Sequence, residues 1–526
     1  MQTNKIVKML QNITPREYQK KILETAEKKN TLVILPTGIG KTLIALMLAI
    51  KRIELFPREK ILFLAPTRPL AQQHLKSFEK HLPEIYADMQ LFTGKVSPEK
   101  RKEIWQKADI IFSTPQTIAN DLKNGSYSLE NASLLIEDEA HRCLKNYDYV
   151  FVAQEFKKQA KHARILGLTA SPGSEHSKIK EICNNLGIEA IEIRTRESKD
   201  VEQYVQKLQT EIVKVEFPQE FEKIRKPLQE IVRRKIEELK NRKLLFQPPT
   251  KKNLIELQGR IIRQITAGNK NFNILAGASA CAQAIKLYYA LELLETQTLE
   301  SFRRYLRDIF EQATKGKSRA VKQLVKQREF NSAYISTNEF LAKNIEHPKL
   351  KKTVELISDE KIKFDKFRAI VFSQYRETVI NICRELNKIS DIKARVFVGQ
   401  ANKDKGGLTQ DEQQQIIHEF SNGDINILCA TSIGEEGLDL PEVNLVLFYE
   451  PVPSEIRKIQ RAGRTARLMP GKIIILITKN TRDEGNYWAA FHKEKRMHRA
   501  ISELNKSFEK NLEKEQKQLD FFKNNQ

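Results

Sequence analysis

The stretch TLVILPTGIGKTLIALMLAI, residues 31–50, decides the fold. Its first five residues are a β-rich apolar run, and Leu43–Ile50 is the longest unbroken apolar stretch of the chain, eight residues with a helical reading. Between the two, Gly38 and Gly40 permit a tight turn whose backbone N–H groups face inward, with Thr37 and Ile39 filling it out. Lys41 offers positive charge to β- and γ-phosphates, Thr42 offers a hydroxyl to Mg2+, and the following helix adds its N-terminal dipole. The general phosphate-loop pattern has Gly at its first position, where Leu35 stands here. A strand before the turn and a helix after it fit a nucleoside triphosphate.

Working outward, further apolar runs bounded by turn residues begin at Ile61 (ILFLA), Asp109 (DIIFST), Ser133 (SLLIED) and Arg164 (RILGLT). Runs of this length alternating with helical stretches suit buried parallel strands with crossover helices. A second such series starts near residue 368: RAIVFS, ARVFV, INILCA, NLVLFY and KIIILI. The expected architecture is α/β, with two parallel-sheet lobes at 1–205 and 351–490. Residues 206–350 carry long amphipathic patterns instead and read as an all-helical insertion, and 491–526 as a helical or flexible C-terminal tail.

At the C-terminal edge of the fourth strand stand Asp138, Glu139, Ala140 and His141, on the side of an open sheet where ligands bind. Asp138 can reach Mg2+ through its water shell, and Glu139 can take a proton from the attacking water. Late in the second lobe, Gln460, Arg464 and Arg467 follow i, i+4, i+7 and share a helix face. From across an interlobe cleft they can complete an ATP site as arginine fingers.

The 526 residues carry 90 Lys+Arg against 67 Asp+Glu, a formal charge of +23, which favours polyanionic partners, nucleic acid first. Over 221–350 there are 26 Lys/Arg against 13 Asp/Glu, so the insertion holds more than half of the excess. No apolar run approaches the roughly 20 residues of a membrane span, and the N-terminus lacks a secretory apolar core. The expectation is a soluble, intracellular protein, cytoplasmic or nucleoid-associated, with no membrane partner. The five cysteines lie at least 40 residues apart, without zinc or cluster spacing, and read as buried thiols.

Nine motifs in order, TPREYQ (14–19), PTGIGKT (36–42), APTRPLAQQ (65–73), STPQT (113–117), DEAH (138–141), LTASP (168–172), VFSQYRET (371–378), ATSIGEEGLDLPEV (430–443) and QRAGRTAR (460–467), resemble superfamily 2 helicases. LGLTASPG, VGQANKDKGGLTQDEQQQIIHEF and PVPSEIRKIQRAGRTAR, with the helical insertion, look like the archaeal Hef helicase/nucleases and the Fanconi-anaemia M-type branched-DNA translocases. Double-stranded-RNA sensors share the insertion plan. The resemblance implies two RecA-like lobes and an ATP- and Mg2+-dependent helicase of forked or branched DNA. Hef proteins usually continue into a nuclease with an ERKxxxD core; no such motif occurs here, so nuclease activity is not expected.

Position by position, the resemblance implies that Gln19 reads the adenine edge with support from Arg16, and that Asp439 contacts the ribose. It implies that Thr169 and Ser171 couple the ATP site to the lobe interface, with His141 bridging to them. Thr67, Arg68, Thr114, Gln374 and Thr431 are implied to touch successive phosphates of the tracking strand, a base-independent grip suited to translocation. Gln516, Leu519, Phe521 and Phe522 resemble a sliding-clamp-binding peptide, one residue short between Leu519 and Phe521. Trp105 and Trp488 read as packing residues. Two rival readings stay open: a double-stranded-RNA helicase or ATPase, and an ATP-gated junction-binding platform without unwinding.

Overall fold

A computed structural model describes residues 9–204, 208–269, 271–316, 318–399, 407–431, 440–452 and 471–523, with backbone only past Leu504. The first lobe is a parallel sheet of β1 (Thr31–Ile34), β2 (Lys60–Leu64), β3 (Met89–Phe92), β4 (Ile110–Ser113), β5 (Ala132–Asp138), β6 (Arg164–Thr169) and β7 (Ala190–Ile193). The spatial order is β3-β4-β2-β5-β6-β1-β7. Helices α1 (Glu17–Lys28), α2 (Lys41–Leu55), α3 (Arg68–His81), α4 (Pro98–Lys107), α5 (Pro115–Lys123), α6 (Asp148–Gln159) and α7 (His176–Leu186) accompany it. β1, β4 and β5 are buried along their whole length, as the unbroken apolar runs require once helices cover both sheet faces.

The second sheet contains β8 (Leu208–Val215), β9 (Ala369–Phe372), β10 (Ala394–Phe397), β11 (Ile427–Ala430), β12 (Leu445–Phe448) and β13 (Gly471–Thr478). Its order is β10-β11-β9-β12-β13-β8, again parallel. Here the structure departs from the sequence reading. β8 precedes the insertion in the chain but pairs with β13 over its full length, Leu208↔Gly471 to Val215↔Thr478, so residues assigned to the insertion belong to the second sheet. β8 is an edge strand with alternating exposure, and its polar outward positions conceal the strand signal.

Between the lobes, α8 (Glu222–Asn241), α9 (Lys251–Thr266), α10 (Phe272–Thr296), α11 (Leu299–Thr314), α12 (Arg319–Val325) and α13 (Arg328–Ala342) form a bundle. Ile224, Leu228 and Ile231 of α8 meet Leu287, Leu291 and Leu294 of α10 in its core, each contributing about 1.5–3 kcal/mol on burial. Among the described residues, α10 alone is long and apolar enough to cross a membrane, yet half of the qualifying window is buried within the protein. Helices α14 (Pro348–Lys361), α15 (Arg376–Leu386) and α16 (Gln410–Asn422) belong to the second lobe.

The final helix, α17 (Arg482–Lys523), starts before the tail expected at 491. It leaves β13 beside the bundle, where Arg482 Nη1 lies 3.1 Å from Glu295 Oε2 of α10. It then crosses to the first lobe, where Met497, Ala500, Ile501 and Leu504 join the core with Ile179 and Cys183. All five cysteines are buried free thiols.

Candidate ATP site and nucleic-acid track

The turn between β1 and α2 closes because Gly38 and Gly40 both take left-handed backbone angles, φ 85° and 87°. A side chain at Gly40 would also collide with Gln19, whose Nε2 would lie 2.2 Å from the added Cβ. The Lys41 ammonium donates to the Leu35 carbonyl at 3.0 Å. Thr37 Oγ1 is buried at this turn with no hydrogen-bond partner. Register places Ile34 of β1 beside Thr169 of β6, so the phosphate loop and the lobe-coupling segment leave the sheet side by side.

β5 delivers the acidic residues next to them. Burial opposes ionisation of Asp138, but His74 and then Lys41 more than offset it and hold the carboxyl below its ordinary value. Glu139 turns off the strand in a left-handed conformation, φ 53°. Its Oε2 lies 3.2 Å from His141 Nδ1, yet it is buried and makes no hydrogen bond. His141 Nδ1 also stands 3.3 Å from Thr169 Oγ1, which accepts from the Ser171 N–H at 3.1 Å. Ser171 in turn donates to Met497 Sδ of α17 at 2.9 Å. The expected coupling residues His141, Thr169 and Ser171 thus form one chain of contacts from Glu139 to the interlobe helix.

Sequence reasoning missed His74, from the second turn of α3. Its Nε2 is 2.8 Å from Asp138 Oδ2 and its Nδ1 3.5 Å from Thr42 Oγ1, so one imidazole spans both expected metal donors. Phe63 supports the ring, with centroids 4.5 Å apart. A hydroxyl and a single carboxylate suit Mg2+, which keeps several waters and takes the rest of its oxygens from phosphates. The buried Thr37 Oγ1 makes no hydrogen bond among the described residues and is a further acceptor at this corner. No cluster of three His, Cys, Asp or Glu side chains able to hold a metal occurs among the described residues.

At the adenine end, Gln19 Oε1 accepts the Arg16 N–H at 2.8 Å, and Gln19 Nε2 lies 3.4 Å from the Gly40 carbonyl. Tyr18 donates to the Ile39 carbonyl at 2.5 Å. Arg16 lies over the Tyr204 ring at 5.1 Å, a partner with no motif to announce it.

The five expected phosphate contacts stand just past strand ends: Thr67 and Arg68 after β2, Thr114 after β4, Gln374 after β9, Thr431 after β11. β2 neighbours β4, and β9 neighbours β11, so each lobe presents its own contacts side by side. Thr67 and Gln374 are exposed, and Arg68 Nε is buried without a partner. Behind Gln374 lies a buried network. Its N–H donates to Glu450, whose Oε2 accepts from Ser373 Oγ at 3.1 Å and from Gln297 Nε2 at 3.3 Å. Gln297 follows bundle helix α10, which ties the insertion to the strand end that carries Gln374.

Asp439, Gln460, Arg464 and Arg467 lie outside the described residues, as do the side chains of Gln516, Leu519, Phe521 and Phe522. Trp105 is packed as expected, 6% exposed and stacked on Tyr127. Trp488 is not: it is 53% exposed on α17, because the buried face of that helix falls on Ala490, Met497 and Ala500 instead.

Family models match three segments: DEAD/DEAH box helicase over residues 16–182, helicase conserved C-terminal domain over 348–469, and an ATP-dependent RNA helicase helical bundle over 220–343. The crystal structure of the Pyrococcus furiosus Hef helicase domain is 44% identical with a TM-score of 0.69, covering 90% of this chain and 98% of that one. A Methanocaldococcus jannaschii protein named as an ATP-dependent RNA helicase is 39% identical over 491 residues. The Fanconi anemia group M protein homolog of Mus musculus is 34% identical over 526 residues. Each alignment takes in 93% of this chain but only 61% of the archaeal relative and 26% of the mouse one. A phosphate loop beside a strand-terminal DEAH, two parallel-sheet lobes and an intervening bundle, at this identity to the Hef helicase domain, make the chain a member of the Hef/Fanconi-anaemia M group of superfamily 2 helicases, which are ATP-hydrolysing enzymes.

Proposed function

We propose that this chain is an ATP-dependent DNA helicase and translocase that works inside the cell on forked or branched DNA, in replication-fork repair and recombination. The observation that carries the reading is the basic bundle, 26 Lys/Arg against 13 Asp/Glu over 221–350, fastened to the second lobe directly behind Gln374. Such charge gives sequence-independent, salt-sensitive binding, and its attachment lets a duplex arm be held while the track moves. The Mus musculus homolog, named for Fanconi anemia group M, supports the choice of DNA repair.

Lys41 and the glycine turn hold the β/γ-phosphates, while Gln19 and Arg16 take the adenine and Asp439 the ribose. Thr42 and Asp138 would hold Mg2+, which when bound neutralises charge on the phosphate oxygens. Glu139 takes the proton of the attacking water, with its carboxylate oriented by His141. Gln460, Arg464 and Arg467 approach from the second lobe as the cleft closes. The path Glu139–His141–Thr169–Ser171 carries closure to the lobe interface, and Thr67, Arg68, Thr114, Gln374 and Thr431 pass phosphates from lobe to lobe. Lys41→Ala and Glu139→Gln should each lower nucleic-acid-stimulated ATP turnover by at least about 100-fold; near-normal turnover in both would overturn the assignment.

The decisive experiment measures ATPase rate across single-stranded, duplex, forked and four-way DNA and double-stranded RNA, followed by strand displacement on the best substrate. Forked or four-way DNA should stimulate most. A second reading, an RNA-directed motor, is supported by the name of the Methanocaldococcus jannaschii relative, and it wins if double-stranded RNA stimulates more. Stimulation without displacement would make the chain an ATP-gated junction-binding platform. The tail residues Gln516, Leu519, Phe521 and Phe522 are proposed to bind a sliding clamp, a contact that alanine at both phenylalanines should abolish in a clamp-binding titration.

A further inference from the structure

Helix α17 has two faces of different chemistry. Inward, Tyr487 and Ala490 line a small cavity with Phe448, Val452 and Ile475 of the second lobe, and Met497 lies under Ser171 of the first. Outward, Trp488 and Phe491 are 53% and 41% exposed. They pack edge to face at 5.8 Å, and His492 lies 6.3 Å from the Trp488 ring at a 32° tilt. Positions 488, 491/492, 495 and 499 recur at i, i+3/i+4, i+7 and i+11, which places Lys495 and Arg499 on the same stripe. Lys495, Arg496 and Arg499 are all exposed.

Over residues 488–499 there are four Lys/Arg and one Asp/Glu, with two histidines besides. A protein-binding patch is depleted of charge at its centre, whereas here cations continue the aromatic row. A duplex offers phosphates but hides its base faces, so an open indole is wasted on it. An unpaired strand offers both a base face to stack and phosphates to pair. At about 1.5 Å per helical residue, Lys495 and Arg499 stand about 10 and 16 Å along the axis from Trp488. That is roughly three to five nucleotides at a stacked spacing of about 3.4 Å.

We propose that the outward face of α17 is an accessory single-stranded nucleic-acid site, in which an unpaired base stacks on Trp488 beside Phe491 and His492 while Lys495, Arg496 and Arg499 hold phosphates a few nucleotides away. It is separate from the track formed by the strand-end residues, and it sits on the helix whose opposite face touches Ser171. A displaced strand held there stays on the protein through the motor's cycle.

The two tryptophans make the test direct, since Trp105 is buried and stacked while Trp488 is open. The full chain is titrated with a 20-nucleotide oligothymidylate and, separately, with a blunt 20-base-pair duplex, following indole fluorescence and binding anisotropy. The oligothymidylate should quench the wild-type fluorescence at saturation, and Trp488→Ala should weaken its binding about tenfold while duplex binding stays within twofold. Lys495→Glu with Arg499→Glu should flatten the salt dependence of single-strand binding by about 1.4 in slope. Circular dichroism and thermal midpoint check that both variants are folded; if Trp488→Ala is not, quenching by the wild type and the salt slope of the double variant decide alone. Saturable single-strand binding without quenching, with unchanged affinity in Trp488→Ala, overturns the proposal, as does equal loss of duplex binding. Fluorescence that follows protein concentration rather than oligonucleotide would assign the face to a second copy of the chain and overturn it too.

Discussion

Two residues outside the motifs carry consequences of their own. His74 is fixed by Phe63 and spans Thr42 and Asp138, and it sits on the helix that Thr67 caps and Arg68 opens. A phosphate held at the proposed contacts Thr67 and Arg68 would therefore be linked to the proposed metal donors Thr42 and Asp138 through this one helix. Truncating an outer partner of a metal ligand typically costs 10–100-fold in metal affinity. His74→Ala should accordingly raise the Mg2+ needed for half-maximal ATPase about tenfold or more, and His74→Gln should recover part of it; Mg2+ titrations at fixed ATP, with Mn2+–ADP binding alongside, check this. Glu137 is the second. It is wholly buried beside the Cys143 thiol, a weak donor, and burial pushes its carboxyl well above the usual range. The folded protein therefore favours the neutral acid while the unfolded chain ionises near pH 4, so the stability this group contributes is full below that pH and is lost as pH rises. Glu137→Gln should be more stable than wild type by about 1–3 kcal/mol at pH 7–8, with the gap closing toward pH 4. Thermal melts across that range test it, and a gap independent of pH would contradict it.

Among elements, the junction of bundle and second lobe holds a buried ion pair. Lys349 of α14 pairs with Asp483 of α17 with both side chains fully buried, and the same ammonium donates to the Thr296 carbonyl of α10 at 3.1 Å. Breaking one side of a buried pair costs about 3–5 kcal/mol, so Lys349→Met should lower unfolding stability by that amount in urea titrations. This junction also marks where the sequence was legible and where it was not. Strands buried on both faces, such as β1 and β5, announce themselves as continuous apolar runs, and the residues at their ends, Lys41, Asp138 and Glu139, follow from strand position. β8 was hidden because an exposed edge needs no apolar run on its outer side. Trp488 was misread because an aromatic residue on an amphipathic helix looks like core until the buried face is located. His74 and Tyr204 act through contacts made by folding, and no spacing in the chain foretells those.

For the whole molecule, the formal charge of +23 acquires a location. Lys252, Arg260 and Arg263 of α9 are exposed, with Gly259 opening onto empty space between them. Reversing all three to glutamate should reduce the salt slope of fork binding by about 2.7, measured by anisotropy between 50 and 200 mM salt. An unchanged slope would remove this face of the bundle from the nucleic-acid interface. The path of the chain has a further effect. It passes from the first lobe to the second between Tyr204 and Leu208, three intervening residues, and α17 brings it back along an unbroken helix from Arg482 to the core around Leu504. The two lobes are thus connected twice, once along the chain and once by the packing of α17 on the first-lobe core. Any separation of the lobes must therefore bend α17 or strip Met497, Ala500, Ile501 and Leu504 from the first-lobe core.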